Sequence, residues 1–73
     1  MWFWEVIYKD ADGTRYAVRS SVAFEGAGEA FLAYQAVHHS MGEAVEKLGG
    51  VLILQEHIIY VSDFPKAVRD YPL

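Results

Sequence analysis

The chain has 73 residues, with ten acidic and six basic side chains and a net charge of −4. Apolar residues make up 53% and aromatic residues 15%, too rich a mixture for disorder, and the length allows one small domain, residues 1–73, with no second core. Cysteine is absent, which excludes a disulfide framework, a thiol nucleophile and cysteine-type zinc sites.

Residues 2–9 alternate: Trp2, Trp4, Val6 and Tyr8 fall on one side, and Phe3, Glu5, Ile7 and Lys9 on the other. Period two with aromatic and β-branched residues predicts a strand. Asp10-Ala11-Asp12-Gly13 follows as a turn, because aspartate side chains bond nearby backbone and glycine accepts positive φ. The returning strand, residues 14–22, sets Tyr16, Val18 and Val22 on one face and Arg15, Ala17, Arg19 and Ser21 on the other. A hairpin results.

Phe24-Glu25-Gly26-Ala27-Gly28 breaks the strand pattern. At 100° per residue, Ala30, Tyr34, Val37, Met41, Ala44, Val45 and Leu48 then share one sector, which predicts a single amphipathic helix over 30–48 facing the sheet. Ser40-Met41-Gly42-Glu43 matches a capping box and offers a competing split or kink near Gly42. Gly49-Gly50 ends the helix. Residues 51–61 form a third strand, whose unbroken apolar start suggests burial on both faces or a central position, with Gln55-Glu56-His57 as a bulge or bend. Asp63-Phe64-Pro65 opens a short terminal turn or helix ending near Tyr71.

The order β-β-α-β with a helical crossover predicts an α+β fold: a three-stranded antiparallel sheet in the order 2-1-3, with one helix on one face. One helix cannot cover both Trp2 and Trp4 on one side and Phe3 and Ile7 on the other. The second face is expected to be covered by the tail (Phe64, Val68, Tyr71) or by another chain.

Charge is uneven. Residues 20–46 hold Glu25, Glu29, Glu43 and Glu46 and no lysine or arginine, so this stretch supplies the whole net charge. Glu29 and Glu43 lie within about 40° of each other on the helical wheel, sharing a sector with Leu32, Ala36 and His39. That surface is either a solvated helix face or an acidic patch suited to a basic groove, with Leu32 as an apolar anchor.

The chemistry-bearing residues are sparse. His38 borders the apolar stripe; His39 and Glu43 are one helical turn apart, but two ligands do not make a metal site. Ser20, Ser21, Ser40 and Ser62 lack a nucleophile motif. Gly26-Ala27-Gly28 lacks the lysine of a phosphate loop, and Glu25 and Glu29 would repel an anion. Aromatics on strand one beside Arg15 and Arg19 imitate a base-stacking sheet, yet the net charge opposes a phosphate backbone. The expectation is therefore a non-catalytic module without cofactor or metal, binding neither nucleic acid directly nor membrane, whose partner is a protein.

In size, acidity and lack of catalytic residues the chain resembles the small phage-encoded anti-CRISPR proteins, a class that shares no common motif. The resemblance implies a stoichiometric inhibitor in the host cytoplasm, with Glu25, Glu29, Leu32, Glu43 and Glu46 occupying the basic nucleic-acid-binding surface of an effector subunit. The alternative is a homodimeric regulatory domain, such as the antitoxin-like partner of a toxin, meeting its copy through Phe3, Ile7 and the open sheet face; an enzyme accessory subunit is a third reading. Monomer and homodimer both fit.

Overall fold

A computed structural model describes residues 1–62. The expectations for the segment 63–71, including the tail as a cover for the second sheet face, lie outside these residues. In chain order the elements are β1 (Trp2–Asp10), β2 (Arg15–Arg19), α1 (Ala27–Val37), a tightened 3-10 turn (His38–Ser40), α2 (Met41–Lys47) and β3 (Gly50–Tyr60). The sheet order is β2-β1-β3 with both pairings antiparallel, and the helical layer covers one face, as the sequence predicts.

The hairpin turn is held as its residues dictate. Asp10 Oδ1 accepts hydrogen bonds from the amides of Asp12 and Thr14 at 2.9 and 3.0 Å, and Gly13 takes φ +83°. β2 stops at Arg19, short of the expected Val22, which is exposed. The chain beyond bends at Ser21 and Val22, and Phe24 then pairs again with Trp2 in an isolated bridge.

The helical stripe continues through the whole layer, but not at uniform pitch. Ser40 does not cap α2: its Oγ accepts no amide and instead donates to the Val37 carbonyl at 3.0 Å. The irregularity sits in the three-residue turn before Met41 rather than at Gly42. Beyond the turn Met41 and Val45 are buried, as the stripe predicts, while Ala44, expected in the stripe, is exposed. Gly49 at φ +89° ends the layer.

The core lies between helices and sheet: Val6, Tyr8 and Val18 from the strands against Tyr34, Met41 and Val45, with Trp4, Tyr16 and Ile53 at its margin. Trp4 and Tyr34 meet at 5.4 Å between ring centroids, and Tyr8 stacks on Tyr16 at 5.6 Å. Gly50 makes the close approach of α2 possible, since a Cβ there would stand 2.3 Å from Val45 Cγ1 and 2.6 Å from Tyr8 Cδ2.

β3 departs from expectation. It is an edge strand, not a central one, and its early apolar residues are not buried: Val51 is 62% and Leu52 51% exposed. Two bulges lie in this half, where Ile7 and Tyr8 face Gln55 and Ile53, and Lys9 and Asp10 face Leu52 and Gly50. Leu54 and Val51 are the extra residues, left out of the pairing and turned toward solvent. Gln55-Glu56-His57, expected to interrupt the strand, pairs regularly with β1.

Candidate functional site

Register brings together two polar clusters on opposite faces of the sheet. On the face away from the helices, Glu5 is flanked by Arg19 on β2 and His57 on β3, its cross-strand partners. Arg19 Nε donates to Glu5 Oε2 at 2.7 Å, and His57 Nε2 lies 2.6 Å from Glu5 Oε1. Gln55 Nε2 is 2.7 Å from His57 Nδ1, so with Nε2 protonated the ring accepts from the amide and donates to the carboxylate. Burial alone would raise the Glu5 pKa, but the hydrogen bonds from His57 and Arg19 and the Arg19 charge outweigh it and hold the carboxyl below its ordinary value. Such a chain of partners ties the three strands in register and engages both oxygens of Glu5. Beside it Ile7, Ala17 and Arg15 complete a shallow groove.

The second cluster lies between α1 and β3. Glu56, on the helix-covered face, accepts at Oε1 both the Tyr34 hydroxyl and His38 Nδ1, the latter at 3.1 Å. Burial, followed by the hydrogen bond to Glu56 and its charge, pushes the Tyr34 phenol far above its ordinary value, so it serves as a fixed donor. Glu56 Oε2 has no partner among the described residues, and the carboxylate borders a cleft of about 420 Å³ lined also by Phe31, Gln35 and Ile58. Phe31 is half exposed, an aromatic wall facing open space.

The residues singled out in the sequence lie elsewhere. Glu25 precedes α1, Glu29 is in its first turn, and Glu43 and Glu46 are on α2; all four are exposed. None forms an ion pair among the described residues. They fall as two pairs, one at the start of α1 and one on α2, with the 3-10 turn between them. Leu32, 65% exposed, stands on α1 between them. Lys47 follows Glu46 directly and dilutes the second pair. His39 is exposed, and His38 serves Glu56; among the described residues no three potential ligands converge as a metal site. No described helix is long and apolar enough to cross a membrane.

Sequence reasoning missed both polar clusters. The sheet order 2-1-3 already places Glu5 between the other two strands, and with Arg19 on the solvated side of β2 the signal for the first cluster was present. Finding Glu56 beside Tyr34 needs the register of β3, which the bulges hide. In comparisons with known proteins, no family model, no curated protein and no solved structure matches this chain.

Proposed function

We propose that the chain is a non-catalytic acidic module that binds a basic protein surface, acting as a stoichiometric inhibitor of the anti-CRISPR kind on a nucleic-acid-binding effector subunit. The observation that carries this reading is the exposure of Glu25, Glu29, Glu43 and Glu46 without a cationic neighbour in ion-pair contact. Carboxylates in that state keep their full field for a partner, and electrostatic attraction of this type speeds encounter and selects against acidic competitors. Three of the four described bases, Lys9, Arg15 and Arg19, belong to the opposite sheet face, so the helical side carries most of the negative charge.

The alternative, an antitoxin-like homodimer through the open sheet face, draws less support, because Phe3 has no exposed surface to contribute. The test is competition: the purified chain is added to effector subunits that bind guide or target nucleic acid, and displacement is followed at increasing salt. Displacement that weakens with salt and is lost in the Glu29→Lys, Glu43→Lys double variant supports the reading. Displacement unchanged by the double reversal, or none from any basic effector, overturns it.

A further inference from the structure

The outer edge of β3 is an open hydrogen-bonding ladder, and its chemistry can be read from the register. Met1 and Val61 exchange both backbone hydrogen bonds, at 2.9 and 2.8 Å, which makes them a bonded pair of the β1–β3 ladder. Bonded pairs alternate along an antiparallel ladder, so Phe3–Ile59 and Glu5–His57 are bonded, whereas Tyr60, Ile58 and Glu56 aim their N–H and C=O groups away from β1. Trp2 gives the same phase independently, since its backbone bonds go to Phe24 on the other side. Among the described residues nothing pairs with this outer ladder. The side chains of these three residues stand on the helix-covered face, opposite Trp2, Trp4 and Val6, so Glu56 and Ile58 line both the ladder and the α1–β3 cleft.

A segment added to this edge would place every second side chain in that cleft. The cleft offers a carboxylate with one unengaged oxygen, the aromatic wall of Phe31 and the Gln35 amide. Carboxylate and aromatic face together suit a guanidinium or ammonium group. A second copy of β3 does not supply one, since residues 50–60 contain neither lysine nor arginine.

We propose that the β3 edge binds an extended, basic segment of a partner protein as a fourth strand, with an arginine or lysine of that segment seated between Phe31 and Glu56. This rests on the reading of the chain as a binder of basic proteins and narrows it to one groove, separate from the glutamates of the outer helical surface.

The probe is a short synthetic peptide of alternating threonine and valine with one central arginine, titrated into the isotope-labelled chain. A peptide with glutamine in place of arginine is the control. The expected result is slowed hydrogen exchange at the amides of Glu56, Ile58 and Tyr60, and binding about tenfold weaker for the glutamine peptide, as for loss of one charge-assisted pair. Glu56→Gln should bring the arginine peptide down to the same level. The Glu29→Lys, Glu43→Lys variant should bind the peptide as the unaltered chain does, which separates failure of this groove from failure of the acidic helical surface. Equal binding of the two peptides, no binding, or protection elsewhere overturns the proposal. So does a dimer in sedimentation whose Glu56, Ile58 and Tyr60 amides are protected before any peptide is added.

Discussion

The two faces of the one sheet are held by different physics. Toward the helices, Trp4, Val6, Tyr8 and Val18 meet Tyr34, Met41 and Val45 in an apolar layer stabilised by area removed from water. Away from the helices, the same strands carry a charged row, Arg19–Glu5–His57–Gln55, with buried Phe3 on one side of it and half-buried Lys9 opposite exposed Arg15 near the hairpin. Alternation along β1 assigns each residue to one regime or the other. The apolar face sets how stable the domain is; the polar face sets which residues of β2 and β3 lie opposite Glu5.

The largest break in that comparison comes from the helix-covered face. Trp4→Ala should cost about 3 kcal/mol, the low end for a large aromatic because Trp4 is only partly buried at the core margin, and urea denaturation measures it. Gly50→Ala ranks next: its methyl would fall on Val45 and on the ring of Tyr8, and overpacking of a core typically costs about 1–3 kcal/mol. On the polar face Glu5→Ala should cost about 1–3 kcal/mol, because Arg19 and His57 lose the acceptor they share; Glu5→Gln, which keeps a hydrogen-bonding oxygen, should cost less.

Acid sharpens the same contrast. A carboxyl whose folded pKa is depressed contributes stability that is present above its unfolded value of 4.5 and is lost as pH falls through the folded value. The melting temperature should therefore drop below pH 4.5 more steeply in the unaltered chain than in Glu5→Gln. The smallest effect belongs to neither face. Reversing Glu29 and Glu43 on the exposed helical surface should leave the denaturation midpoint almost unmoved, because exposed charges contribute little.

What could be read from the residues follows from how local each signal is. The alternation of residues 2–9, the Asp10–Gly13 turn chemistry and the helical stripe ending at Gly49 are short-range patterns, and they yield strand order and layer correctly. The run Val51-Leu52-Ile53-Leu54 misleads because its bulged residues are as apolar as its paired ones. Exposed and buried positions then look alike. The Tyr34–Glu56–His38 cluster joins residues 18 to 22 positions apart across two elements, so it becomes visible only once the bulges have set the register.

The bulge at Leu54 also divides β3 into two segments. Upstream, Ile53 and Gly50 are tied to the core under α2; downstream, the rungs from Glu56 onward lie along α1. An inserted residue bends its strand and raises the local right-handed twist, so the two segments run at an angle to one another. One strand thus serves both helices, closing the core beneath α2 and walling a cleft beside α1.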